Sequence, residues 1–448
     1  MSRPRSTGAL GGTSVPRSTI ATMSATRRSV LRGMALSGLA VGGSGLLAAC
    51  GDDGGGASSG SGATVKFGIN EAQGSGPAYD RLKAIADAYT AKTDTKVSLN
   101  AVDHNTFQES INTYLQGTPD DVFTWFAGFR MSQFAESGLI TDVSDQWPID
   151  GLGDSFKQAA TASDGKQYFV PISYYPWAVF YRKSVFEKNG WAAPESKDDF
   201  MSLMDDMQGK GITPFAFGDK DGWPAMGTFD ILNMRLNGFD FHMGLMAGEE
   251  KWDGDEVKLV FETWKSLLPY HQEDPLGRTW QEAATSMGNG DCGMYLLGTF
   301  VVDALDESGD DLDFFTFPQL DDSIPADSLD APIDGFCVAA AGKNQDAAKE
   351  MIKWLGSAAA ADAGNEAAEA PFIAANSGAS TSTYSDLQKK SAEVVGAAAN
   401  IAQFMDRDTN ADFASTVMIP SIQEFLKSPD DIDKITASIQ EQANSILG

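Results

Sequence analysis

Strand and helix signals alternate along this chain in two separate runs, and that restart limits its possible folds more than any other feature. In the first run, Thr64–Ile69 alternates as a strand, and residues 78–91 place Leu82, Ile85, Ala86 and Tyr89 at helical spacing. Lys96–Ala101 is a second strand, residues 105–116 a second helix ending at Gly117, and residues 121–125 a third, short apolar strand. Strand–helix–strand–helix–strand in this order predicts a parallel, doubly wound α/β layer. After Val170 and Pro171 the pattern begins again. Residues 178–181 and 211–217 read as strands, and 197–208 and 227–236 as helices. A helix over 256–268 has Val257, Val260, Phe261, Trp264, Leu267 and Leu268 on one side, and 292–297 is a buried strand. The expected fold class is therefore α/β, with two lobes joined near residue 172 and a ligand cleft between them. Ligands of open α/β sheets sit outside the carboxyl ends of the strands.

The 448 residues allow two or three domains, but the N-terminus reads as an address. Arg27 and Arg28 precede an uncharged, Gly- and Ala-rich run over 33–49, too short and too weakly apolar to span a membrane, which takes about 20 residues. Residues 1–49 are thus a signal peptide resembling a twin-arginine export signal. Leu47-Ala48-Ala49-Cys50 resembles a lipobox, with Cys50 as the lipidated first residue of the mature chain. Residues 50–62, mostly Gly and Ser, form a flexible tether.

Charge narrows the partners. Acids outnumber bases 62 to 33, a balance of −29. Without the six arginines of the first fifty residues it reaches −35. So anionic a surface repels phosphate backbones, and nucleic acid is excluded as a partner. Three Cys and three His give no zinc-cysteine spacing. His104, His242 and His271 are scattered, with no helical pairing and no carboxylate companion in sequence, so neither metal nor cofactor is expected. Cys292 and Cys337 sit in apolar runs, where buried free thiols are favoured over a disulfide.

Several blocks then carry a resemblance: residues 117–125 (GTPDDVFTW), 137–143 (SGLITDV), 174–181 (YYPWAVFY), 211–218 (GITPFAFG) with 222–224 (GWP), 293–298 (GMYLLG) and 332–336 (PIDGF). Their order, from about residue 64 to the C-terminus, is similar to that of the extracellular solute-binding proteins serving carbohydrate importers of the ATP-binding-cassette (ABC) type. The resemblance implies two lobes joined by crossings near 171–177, 330–336 and 371–374. It places 63–172 with 331–371 in the N-terminal lobe and 173–330 with 372–448 in the C-terminal lobe. It also implies a monomer without catalysis, tethered outside the cell membrane by its lipid, that passes a di- or oligosaccharide to permease subunits.

Sugar recognition needs flat apolar faces and planar polar groups, which aromatic rings and Asp, Glu, Asn or Gln supply. Trp125 closes the third strand and matches an aromatic that stacks on sugar in maltose-binding members. Tyr175 and Trp177 flank Pro176 at the first crossing, and Trp223 stands in a Gly-rich loop over 218–227. Trp125 and Trp223 are expected to face each other as two sugar platforms. Glu71 and Gln73 follow the first strand, while Gly298 and Phe300 follow a buried one. Asp334 either caps a turn or binds a hydroxyl, and Phe404 and Asp406 lie in a loop that relatives turn toward the cleft.

Two other functions compete. A binder of another polyol or a glycerol-phosphodiester needs a basic residue at the site, for which Arg235 or Arg130 is available. A secreted glycoside hydrolase needs two carboxylates about 5–5.5 Å or about 6.5–9.5 Å apart. Among 62 acids such pairs arise by chance, so their presence decides nothing.

Overall fold

The computed structural model describes residues 64–447, apart from residue 75 and the stretches 306–310 and 369–371. Among the described residues twelve strands are formed: β1 Thr64–Ile69, β2 Lys96–Ala101, β3 Val122–Phe126, β4 Val170–Tyr174, β5 Trp177–Arg182 and β6 Thr213–Phe215 come first. β7 Cys292–Gly298, β8 Leu312–Phe315, β9 Ser328–Asp330, β10 Ile333–Val338, β11 Ile373–Ala374 and β12 Asn400–Ala402 follow. One six-stranded sheet has the order β11-β4-β10-β3-β1-β2, and a four-stranded sheet has the order β6-β7-β5-β8. β9 and β12 pair separately and in parallel.

The first sheet begins as its sequence dictates. β1 pairs in parallel with both β2 and β3. Helices α1 (Pro77–Thr93) and α2 (His104–Gln116) make the crossovers. Asp103 caps α2 by accepting from the Thr106 N–H at 3.1 Å, and Phe107, Ile111 and Leu115 are its buried stripe. All five residues of β3 are buried, as suits a strand covered on both faces. The later strands complete a mixed sheet, because β10 and β11 join antiparallel.

Each sheet has its own apolar core. Phe67 packs edge-on to Phe336 in the first, and Trp264 and Phe261 pack on Phe425 in the second. The two lobes meet where chain passes between the sheets. β4 ends at Tyr174 in one sheet, and β5 starts at Trp177 in the other. The segments expected to cross therefore contain β4, β10 and β11, which lie side by side at one edge of the first sheet.

Two local expectations need correction. The strand expected over 211–217 is only Thr213–Phe215. The helix expected from 227 starts at Pro224, so Trp223 is its N-cap residue and the loop ends there. Proline suits a first helical position, where its missing N–H costs nothing. Gly227 lies inside this helix, where a Cβ would overlap the rings of Trp177 and Phe404. Cys292 and Cys337 are free and buried, in β7 and β10 of different sheets. Cys50 lies outside the described residues.

Candidate functional site

Between the lobes is a cavity of about 510 Å³, within the usual ligand-site range of about 300–1,000 Å³. Its two walls differ in chemistry. The second lobe contributes a linked set of rings: Tyr175, Trp177, Trp223, Trp280, Phe300 and Phe404. Phe300 is the hub, with ring centroids 5.5 Å from Tyr175, 6.0 Å from Trp177 and Trp223, and 5.1 Å from Trp280. Trp177 is buried and packs on Phe404 at 4.7 Å, whereas Trp223, Trp280 and Phe300 stay half-buried and offer ring faces.

The first lobe contributes polar groups. Glu71 follows β1, and beside it Asn70 is tied to Thr124, whose hydroxyl donates to Asn70 Oδ1 at 2.9 Å. His104 contacts Asn70 at 3.3 Å and Gln108 at 2.6 Å, and burial lowers its pKa to about 4, so the ring is neutral at pH 7. Arg81, on α1, reaches Asp303 of the second lobe at 3.6 Å, an ion pair that spans the cleft.

Arg407 ties the floor together. Its guanidinium donates to Asp334 at 3.0 Å and to the Tyr175 hydroxyl at 3.2 Å, and lies 4.0 Å from the Phe126 ring. Arg130 donates to Gln108 at 2.7 Å and to Asp406 at 3.0 Å. The turn carrying Asp406 and Arg407 is strained, because Phe404 has φ 111°. Such a conformation persists only where its surroundings enforce it. Asp230 does so by accepting from the Met405 N–H at 2.6 Å.

Burial raises the Glu71 carboxyl to about 7, against the pull of Arg81 and with help from Asp303 and Asp334. A carboxyl raised in the folded state stabilises the fold below its ordinary value of 4.5, and that contribution is lost as pH rises through about 7. Glu71→Gln holds the neutral form throughout. The melting difference, variant minus wild type, should therefore climb between about pH 4.5 and about pH 8. A flat difference would show that Glu71 titrates normally.

Nine of the expected residues line the cavity: Glu71, Trp125, Tyr175, Trp177, Trp223, Phe300, Asp334, Phe404 and Asp406. Gln73 does not; it is exposed in the loop before α1. Gly298 is buried behind the cavity, where a Cβ would press on Phe300 and Tyr175. Trp125 borders the cavity from within a packed core. It is 1% exposed and sits among Phe107, Phe123, Phe126 and Phe134, with Arg130 4.7 Å from its ring. The two tryptophans are thus unequal: Trp125 is packed in the core of the first lobe where it borders the cavity, and Trp223 is half-buried in the opposite wall. Arg235 is not among the cavity-lining residues and is buried with its Nε and Nη1 on Phe317 O and Ser328 O, and Arg130 is engaged with Asp406. Sequence reasoning passed over Arg81, Gln108, Trp280, Asp303 and Arg407, whose partners are distant in sequence.

Comparison with known proteins agrees with this architecture. The profile of the bacterial extracellular solute-binding proteins matches residues 73–362. The bacterial solute receptor AcbH, described as having an exclusive substrate preference for β-D-galactopyranose, superposes with a TM-score of 0.83 at 40% identity, covering 86% of this chain and all of that one. A chitin oligosaccharide binding protein shares the fold at TM-score 0.74 and 22% identity, over 85% of this chain and 98% of that one. An uncharacterized ABC transporter extracellular-binding protein of Pyrococcus horikoshii is 28% identical over 54% of this chain and 55% of its own. A probable sugar-binding periplasmic protein of Mesorhizobium japonicum is 24% identical over 44% and 49%. The match spans about half the length of these curated relatives.

Proposed function

This chain belongs to the bacterial extracellular solute-binding proteins, and from that premise we propose that it captures a neutral sugar between its lobes and delivers it to an ABC importer without altering it. The observation that carries the proposal is an aromatic wall opposite a wall of paired polar groups. Ring faces of Trp223, Trp280 and Phe300 suit the C–H faces of a pyranose, while Glu71, Asp334 and Asp406 suit its hydroxyls. Arg81 and Arg407, the arginines of the lining, are each matched by a carboxylate. That balance favours a neutral ligand over the phosphodiester alternative.

The resemblance in sequence suggests a di- or oligosaccharide. The preference described for AcbH makes a single pyranose, galactose first, the leading candidate. A thermal-shift screen of mono-, di- and trisaccharides tests this. A ligand at 100 times its dissociation constant adds about 2.7 kcal/mol of stability. A melting point unmoved by every neutral sugar would refute sugar capture, and a hydrolysed disaccharide would favour the glycoside hydrolase.

Trp223→Ala is expected to weaken sugar binding roughly 30-fold, the equivalent of about 2 kcal/mol for a buried aromatic anchor. Its melting point should fall much less than that of a core variant, since the ring is half-buried. Normal affinity in this variant would remove Trp223 from the site.

Membrane attachment is proposed to run through a lipid on Cys50, as a monomer on the outer face of the cell membrane. Among the described residues no helix is long and apolar enough to cross a membrane. Cys50→Ala should move the protein from the membrane fraction to the medium. Retention in the membrane would contradict the anchor.

A further inference from the structure

Behind the aromatic wall the second lobe buries a cluster that sugar capture does not use. Asp230 lies on the helix Pro224–Asn237, His242 on the next helix, Phe239–Met246, and Asp330 ends β9. All three are fully buried, and one ligand atom from each lies within 4.8 Å of the others. Asp230 Oδ1, both carboxylate oxygens of Asp330 and His242 Nε2 have no hydrogen-bond partner. Sequence spacing gave His242 no carboxylate companion; the fold gives it two.

The Asp330 carboxylate has no hydrogen bond and Asp230 only the Met405 N–H, so these two buried acids repel each other without hydration, and a positive partner or a proton must sit between them. Arg235 is near enough to feel Asp330, but its Nε and Nη1 donate to Phe317 O and Ser328 O, its Nη2 has no partner, and no ion pair joins it to either acid. We propose that Asp230, Asp330 and His242 bind one divalent transition-metal ion, Zn²⁺ or Mn²⁺. Two aspartates cancel its charge, and an imidazole with two carboxylates is a donor set such borderline ions accept. The Asn233 amide nitrogen lies 3.1 Å from Nδ1 and its oxygen accepts from Asn237 at 2.8 Å, so both amides must turn together for Asn233 to take the ring's other N–H, as metal-bound histidines require.

The ion would have a structural consequence at the sugar site. Asp230 also holds the Met405 N–H, and Asp330 ends the strand paired with β12. Metal binding therefore fixes the turn that presents Phe404, Asp406 and Arg407 to the cavity.

The test uses the full chain purified without chelators. Elemental analysis after incubation with excess Zn²⁺ or Mn²⁺ and desalting should find one ion per chain. EDTA should lower the melting temperature, and returning the ion should restore it. Asp330→Asn should bind no ion and melt at the same temperature with or without EDTA. If that variant does not fold, the metal content and EDTA response of the wild type decide alone. Sugar affinity should fall about 5-fold or more on chelation; this arm alone rests on the sugar-binding reading. A wild type that takes up no ion and ignores EDTA would overturn the proposal, leaving a proton shared by the two acids. An ion retained by Asp330→Asn would overturn it too, by placing the metal elsewhere.

Discussion

Trp125→Ala should destabilise the fold by about 3–5 kcal/mol, the cost typical of emptying a large aromatic from a core. Its ring is 1% exposed and touches four phenylalanine rings, with Arg130 across its face. The cavity left behind lies beneath the polar wall, and both transfer and void terms act together. Urea unfolding measures the loss directly. Affinity for sugar in the folded fraction should change less than in Trp223→Ala. A stable Trp125→Ala protein with lost sugar binding would reverse this assignment and make Trp125 the platform.

Arg407→Met should combine a large stability loss with a loss of binding. The substitution keeps much of the side-chain length but leaves Asp334 and the Tyr175 hydroxyl without their donor. Breaking a buried ion pair costs about 3–5 kcal/mol. The lower end applies here, because the Asp334 side chain is 34% exposed and water can screen it. Sugar affinity should fall at least about tenfold, or about 1.4 kcal/mol, since acceptors that face the ligand lose their orientation. Arg407→Lys keeps the charge without the two-pronged geometry and should recover stability more fully than affinity. Unchanged affinity in both variants would show that Arg407 only supports the fold.

The aromatic wall, Trp280 apart, was legible in sequence because its members mark themselves locally. Tyr175 and Trp177 flank a proline between two strands, Phe300 follows the buried β7, and Trp223 precedes Pro224 at a helix start. The first three strands and two helices were legible for the same reason: their periodicity is carried within each segment. The depth of Trp125 was not legible because β3 is buried on both faces. Alternation then carries no information about which side faces the cleft, and a strand-end tryptophan resembles a ligand platform. The polar pairs were hidden by distance. Arg130 and Asp406 are 276 residues apart, and Arg407 and Asp334 are 73 apart. Only the assembled lobes bring them together, as they bring His242 to Asp230 and Asp330.

Calorimetric titration of the purified chain with D-galactose, beside a panel of neutral mono- and disaccharides, tests sugar capture most directly. One saturable site per chain for a neutral sugar is expected, with a negative heat-capacity change from burying ring faces, and the sugar should be recovered unaltered. No binding heat from any neutral sugar, with clear heat from an anionic polyol phosphate, would contradict the account.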